Sequence, residues 1–195
     1  MRIATIVGIV AACTFASGCG SSSSSAGPSG ASGTLTMMMT DSPFSDAKSL
    51  LITFSEVDAH IATAADGTWT KVPFAGSATS RTCDLKKLTT AQDVLGTGPL
   101  ATGHYTQVRL VVSSAVIYFD NAATGTACAA TIAVPAGTSA NVTIPSGEVK
   151  LNREFDVSSA TTTTMLLDFN GDQSVRQTGN GQYSMTPVIT VVSVQ

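Results

Sequence analysis

The sequence predicts an all-β fold, an antiparallel β-sandwich of about eight to ten strands with at most one short helix. Apolar and polar residues alternate with a period of two along most of the chain, as in strands that are buried on one face. Clusters of Gly, Pro, Asn and Ser separate these segments at short intervals. Only residues 84–96, DLKKLTTAQDVLG, have apolar residues at a helical spacing, and Asp84 is a suitable cap for one or two helical turns.

The first strand is predicted in residues 34–40, TLTMMMT. Successive side chains of a strand point to opposite faces, so Leu35, Met37 and Met39 share one face. We expect this face to lie in the core, because thioether side chains pack well among other apolar groups.

The second predicted strand, residues 49–62, contains a break in its alternation. The apolar positions change parity between Phe54 and Val57, and a regular strand would turn one of these side chains away from the core. Either the strand carries a bulge near Ser55 and Glu56, or the segment forms two strands.

The rest of the chain continues this pattern. A turn precedes a short strand that contains Trp69, and a long strand is predicted in residues 104–119. Further strands are predicted in residues 130–134, 141–144, 149–157, 162–169 and 183–194.

The N-terminus has the features of a bacterial export signal over residues 1–18. Arg2 is followed by an apolar run too short to span a bilayer, which needs about 20 residues. Three small residues, 16–18, precede Cys19, and together they resemble the lipobox of bacterial lipoproteins. A lipobox usually has leucine three residues before the cysteine, where this chain has Ala16. The resemblance implies that Cys19 is acylated and becomes the first residue. The alternative is ordinary secretion with cleavage near Ala16.

This interpretation divides the chain into three parts. Residues 1–18 are the lipoprotein signal peptide, residues 19–33 a lipidated, disordered Ser/Gly tether, and residues 34–195 a single β-sandwich domain. We expect the protein in the bacterial cell envelope, attached to the membrane by its N-terminal lipid. Gly20 follows the cysteine in place of aspartate, which by resemblance to lipoprotein sorting favours the outer membrane.

Charge argues against one class of partner. The chain carries 10 Lys and Arg against 13 Asp and Glu, a net charge of −3, and no basic stripe. Proteins that bind nucleic acid need such a stripe to neutralise phosphates, so we expect no nucleic-acid partner.

Two cysteines remain in the predicted domain, Cys83 and Cys128. A single cysteine pair in an exported protein is usually oxidised, so we expect a disulfide. Closing a loop of this length stabilises a fold by about 4 kcal/mol in the chain-entropy model.

The segment DFNGDQS is the most suggestive of a ligand. Asp168, Asn170 and Asp172 place alternate oxygen ligands on a short loop, as in Ca²⁺ sites. The EF-hand pattern fails, because Gln173 stands where it requires glycine and Gly179 where it requires glutamate.

A looser Ca²⁺ loop could be completed by Asp41 or Asp46. The favoured alternative is a hairpin turn at Asn170 and Gly171, with no cofactor. For Asp41 we favour a structural ion pair with Arg109, against a cluster of Asp41 and Asp168 around Arg109 or a cation.

Several segments, in this order, resemble the bacterial lipoprotein family known as domain of unknown function 4382. They are TDSP (40–43), Trp69, DLKKL (84–88), GHYTQVRL (103–110), DFNGDQSV (168–175) and GQYSMTPVI (181–189). The resemblance implies a transthyretin-like or immunoglobulin-like β-sandwich on an exported protein, with no established activity. This chain departs from the family in having Asn170 in place of a second aspartate and Thr190 in place of an arginine.

We therefore expect a protein that is not an enzyme but a binding, adhesion or envelope-assembly module, with envelope proteins or glycans as partners. His60 and His104 have no partner motif, and no GxSxG or HExxH sequence is present. The alternatives are a Ca²⁺-dependent carbohydrate- or protein-binding domain that uses DFNGD, and a hydrolase that acts on glycan or peptide.

Overall fold

The computed structural model of the protein describes residues 30–42, 47–62 and 68–195. The predicted signal peptide, Cys19, most of the predicted tether and Asp46 lie outside the described residues.

The described residues form thirteen strands, two α-helices of one turn each and one 3₁₀ turn at Ala75–Ser77. The all-β prediction is therefore confirmed, although the strands outnumber the eight to ten expected because several have only two to four residues. Two short helices are present where at most one was expected, because Asn170 caps a helical turn, α2, in addition to the turn that Asp84 caps. The elements are β1 (Ser32–Ser42), β2 (Ser49–Ile61), β3 (Thr68–Lys71), β4 (Arg81–Asp84), α1 (Leu85–Leu88), β5 (Asp93–Ala101), β6 (Gly103–Tyr118), β7 (Cys128–Ala129), β8 (Ser139–Thr143), β9 (Glu148–Val157), β10 (Thr162–Asn170), α2 (Gly171–Ser174), β11 (Val175–Gln177), β12 (Tyr183–Met185) and β13 (Ile189–Val194).

The strands form a sandwich of two sheets. The smaller sheet has the order β13-β10-β1-β5. The larger has nine strands, in the order β11-β12-β8-β6-β2-β4-β7, with β3 paired to β2 and β9 paired to β6. Most pairs are antiparallel, as predicted, but β1 pairs with β10 and β12 with β8 in parallel. Parallel pairing requires a long connection, and between β1 and β10 the chain builds most of the larger sheet.

The parallel pair of β1 and β10 lies in the middle of the smaller sheet and fills the core. Leu35, Met37 and Met39 are fully buried, which confirms their predicted face. Met37 lies opposite Met165 in the register, and Met39 lies opposite Leu167. The strand begins at Ser32, two residues before the predicted start of the domain.

The parity change in β2 is accommodated by a bulge. Relative to β6, the register of β2 shifts between Phe54 and Glu56, and the strand continues without a break to Ile61. Phe54 and Val57 are both fully buried as a result. The predicted bulge is confirmed, and the alternative of two strands is wrong.

The predicted disulfide is present, with an S–S distance of 2.05 Å between Cys83 and Cys128. These residues lie opposite each other on β4 and β7. The bond attaches the loop after β6 to the sheet. Among the described residues, no helix has the length and apolar character needed to cross a membrane.

Candidate functional site

Arg109 forms an ion pair, but with Asp58 rather than with the predicted Asp41. Its Nη2 and Nε donate to Asp58 Oδ2 at 2.7 and 2.9 Å. Asp58 on β2 lies directly opposite Arg109 on β6, so the two side chains share the outer face of the larger sheet. Asp41 belongs to the other sheet. The predicted pair of Asp41 and Arg109 is therefore wrong.

Trp69 covers this ion pair. The guanidinium carbon of Arg109 lies 4.7 Å from the centroid of the indole ring, which is a cation–π distance. On β3, Trp69 lies opposite His60 of β2, whose ring centroid is 4.9 Å away. The Asp58 side chain is only 6% exposed and that of Arg109 25%, so the pair is largely shielded from water. The hydrogen bond to Asp58 raises the pKa of Arg109 above its ordinary value.

The pair belongs to a row of charges that we call the outer-face ladder. Arg109 Nη1 lies 3.8 Å from Glu148 Oε1, and Lys150 Nζ lies 3.2 Å from the same oxygen. Across β2 and β3, Lys71 Nζ lies 3.4 Å from Glu56 Oε1. The outer-face ladder consists of Lys71, Glu56, Asp58, Arg109, Glu148 and Lys150. Three cations balance three anions, so the ladder as a whole attracts ions of neither sign.

The segment DFNGD forms neither an EF-hand-like loop nor a hairpin turn. Asp168 lies within β10, and Asn170 is the N-cap of α2, where its Oδ1 accepts a hydrogen bond from Gln173 N at 2.9 Å. Asp172 is exposed in the first turn of α2. The predicted hairpin is wrong, because Asn170 and Gly171 begin a helical turn.

Asp41 does reach this segment, but it binds backbone. Its Oδ1 accepts a hydrogen bond from Gly171 N at 3.0 Å, and the residue is 5% exposed. In the parallel register Asp41 lies opposite Phe169, and Thr40 lies opposite Asp168. Asp41 and Asp168 therefore point to opposite faces of the sheet, and the alternative of a carboxylate cluster around Arg109 or a cation is not formed either. In the part of the chain that the structure describes, no three His, Cys, Asp or Glu residues are grouped to hold a metal ion.

Asp84 has a structural role larger than the predicted cap. It is fully buried, and its Oδ1 accepts hydrogen bonds from Lys86 N in α1 at 3.2 Å and from Leu50 N at 3.1 Å. Its Oδ2 accepts from Ser49 Oγ at 2.8 Å, and Ser49 Oγ accepts from Ala123 N at 2.7 Å. One carboxylate thus joins β2, α1 and the loop after β6.

His104 also has acidic neighbours. Its Nδ1 lies 2.9 Å from Asp156 Oδ1, and its Nε2 lies 4.0 Å from Glu154 Oε2. All three side chains are between 47% and 77% exposed. His60 Nδ1 instead lies 3.0 Å from Thr106 Oγ1 beneath the indole of Trp69. His60 therefore contacts a residue across the β2–β6 pair and His104 contacts residues across the β6–β9 pair, so the two histidines do not form one site.

No pattern in the sequence indicates a groove that the structure forms between the two sheets. Residues of β9 and β13 line a shallow depression of ≈ 350 Å³, open to solvent, at one side of the sandwich. We call it the edge groove. It is lined by Lys150, Leu151, Asn152, Arg153, Ile189, Thr190 and Val191. Finding it requires knowing which strands end each sheet, and alternation within a strand carries no such information.

A protein-family model described as Domain of unknown function (DUF4382) matches residues 32–187. This range includes every segment that carries the resemblance except the last two residues of the final one, Val188 and Ile189. No curated protein and no solved structure matches the chain.

Proposed function

Since this chain belongs to the family described as Domain of unknown function (DUF4382), we propose its function from its own residues. We propose that it is an exported, lipid-anchored β-sandwich of the bacterial envelope that binds other envelope components and catalyses no reaction. Cys19 carries the lipid, residues 20–31 form the tether, and the domain begins with β1.

The placement of β1 carries this proposal. The strand starts at Ser32, immediately after the Ser/Gly-rich segment, and it is paired on both sides, with β10 and with β5. A force transmitted through the tether to an inner strand is resisted by the hydrogen bonds to both neighbouring strands. On an edge strand, the same force would be resisted by the hydrogen bonds to one neighbour. The fold is thus well suited to hold its shape while attached to a membrane.

The surface of the domain supports binding rather than catalysis. The charges of the outer-face ladder neutralise one another, and Asp84 and Asp41 are engaged with backbone N–H groups. Such groups are committed to the fold. The edge groove is shallow and open, which suits an extended partner better than a small substrate that must be shielded from water.

Metabolic labelling with a palmitate analogue tests the anchor. We expect the wild-type chain to be labelled and Cys19→Ala to lose the label and leave the membrane fraction. Cys13→Ala is the matched control, because Cys13 also lies near the N-terminus but within the predicted signal, and it should keep the label. An unlabelled wild-type chain, or a labelled Cys19→Ala variant, would contradict the proposal.

A further inference from the structure

Most edge strands of the described residues are short or covered. β7 has two residues, β11 three and β3 four. β5 is longer, but the segment of Pro73 and Phe74 runs along its free side, where Thr97 N donates to Pro73 O at 2.9 Å and Phe74 bridges to Gly96. Proteins protect exposed edges in these ways because unpaired N–H and C=O groups attract other strands.

Two long edges are left open in the described part of the chain. β13 pairs with β10 alone, and β9 pairs with β6 alone. β13 has the sequence ITVVSV, with no charge and no proline and with high β-propensity, and Val192 is 57% exposed. Both open strands line the edge groove. The two edges that no other strand covers therefore meet at one place on the surface.

The free side of β13 offers backbone groups to a partner. Asn170 N donates to Val188 O at 2.9 Å, and Thr164 and Gln195 exchange hydrogen bonds of 2.7 and 2.9 Å. The register of β13 against β10 shifts between Leu166 and Leu167, so Gln195 and Val188 lie on different sides of a bulge. Inward and outward groups alternate from Val188 as far as this bulge, and Ile189 and Val191 therefore point their N–H and C=O groups away from β10. These residues are also in the lining of the edge groove.

The charge of the edge groove differs from that of the whole protein. Its lining includes two cations, Lys150 and Arg153, although the chain has a net charge of −3. Lys150 is already paired with Glu148 in the outer-face ladder, so Arg153 is the cation that remains for a partner. Arg153 is exposed. An occupant that carries carboxylates is therefore favoured over a neutral or basic one.

We propose that the edge groove binds an extended peptide segment with acidic side chains, which adds as a strand to β13. The proposal rests on the proposed binding function and names the chemistry of its partner. The segment spans the six residues of β13, about 20 Å at 3.4 Å per residue. Its backbone pairs with Ile189 and Val191, and one of its carboxylates meets Arg153.

A second copy of this chain fits the edge groove less well. Pairing β13 with itself would bring the two edge grooves together, and with them Arg153 of both copies. Like charges held close to one another weaken association. An acidic partner removes this repulsion and replaces it with attraction.

Selection from a phage-displayed library of random heptapeptides on the full-length chain, purified in detergent, tests the proposal. We expect the selected peptides to be enriched in Asp and Glu. Val191→Pro, which removes an edge N–H without removing a bond to β10, should weaken their binding about tenfold or more. Arg153→Glu changes one exposed side chain outside the outer-face ladder and should do the same. Arg176→Glu, an exposed cation on β11, is the matched control and should leave binding unchanged.

Hydrogen exchange identifies the binding mode. The amides of Ile189 and Val191 should exchange rapidly in the free protein and become protected when a selected peptide binds. A library without binders, selected peptides rich in Lys and Arg, equal losses in Arg176→Glu, or dimerisation through β13 would each overturn the proposal. Palmitate labelling at Cys19 is independent of all these results, so a failure of the edge groove is distinguishable from a failure of the anchor.

Discussion

The shielded ion pair between Asp58 and Arg109 gives the sharpest prediction on stability. Removing the carboxylate in Asp58→Ala leaves the guanidinium with one remaining carboxylate contact, 3.8 Å from Glu148. It also removes two hydrogen bonds, at 2.9 and 2.7 Å. Trp69 keeps water away from one side of the group, so the lost bonds are only partly replaced by solvent.

The magnitude follows from burial. A hydrogen bond to a charged group contributes about 1.5–3 kcal/mol, and breaking a fully buried pair costs about 3–5 kcal/mol. Because the Arg109 side chain remains 25% exposed, water recovers part of that loss. We therefore expect Asp58→Ala to lower the free energy of unfolding by about 2–3 kcal/mol.

A double-mutant cycle measured by urea unfolding separates the pair from its surroundings. We expect a coupling free energy of about 1.5–2 kcal/mol between Asp58 and Arg109, and a smaller one when Trp69→Ala admits water. The pair of Lys71 and Glu56 is the matched control on the same face. Its atoms are 3.4 Å apart, but its side chains are 58% and 43% exposed, so its coupling should stay below about 0.5 kcal/mol.

A coupling for Asp58 and Arg109 as small as that of the control pair would refute this reasoning, because it would mean that Trp69 shields nothing. A coupling that is unchanged in the Trp69→Ala background would refute the role of the indole alone.

Four further outcomes follow from the structure. Replacing Cys83 and Cys128 together by serine should lower the free energy of unfolding by about 4 kcal/mol, as measured by urea titration; an unchanged midpoint would contradict this. Asp84→Ala should cost about 3 kcal/mol in the same assay and Asp84→Asn about half of that, because the amide still accepts hydrogen bonds; equal losses would contradict the network. The hydrogen bond from Thr138 N–H lowers the pKa of Asp120 below its ordinary 3.8. The ionised carboxylate therefore stabilises the fold above pH 3.8, and this stabilisation is lost as the pH falls through the lowered pKa. In a plot of melting temperature against pH, Asp120→Asn should make the decline at the acid end less steep. Because the DFNGD segment is a strand end and a helix cap, the melting temperature should not differ between EGTA and millimolar Ca²⁺. A higher melting temperature in Ca²⁺ would mean that the folded protein binds the metal.

The fold class was predictable because alternation reports which face of each strand is buried. The bulge in β2 followed from the same logic, since Phe54 and Val57 can both be buried only if the register shifts. The partners of the strands were not predictable in this way. Nothing in the residues of β1 indicates that it pairs in parallel with β10, because alternation fixes a face and not a neighbour.

The errors at the candidate site have the same origin. Arg109 was expected to need a carboxylate, and it has one, but opposite charge alone did not distinguish Asp41 from Asp58. The register of β2 against β6 makes that choice. Asn170 was ambiguous for a different reason, because asparagine is favoured both in hairpin turns and as a helix cap.

The mass of the N-terminal peptide of the protein isolated from bacterial envelopes tests the proposed function most directly. The proposal predicts a peptide that begins at Cys19 and carries the mass of attached acyl chains. A peptide that begins at Ser17, after cleavage at Ala16, and that has an unmodified Cys19 would contradict it.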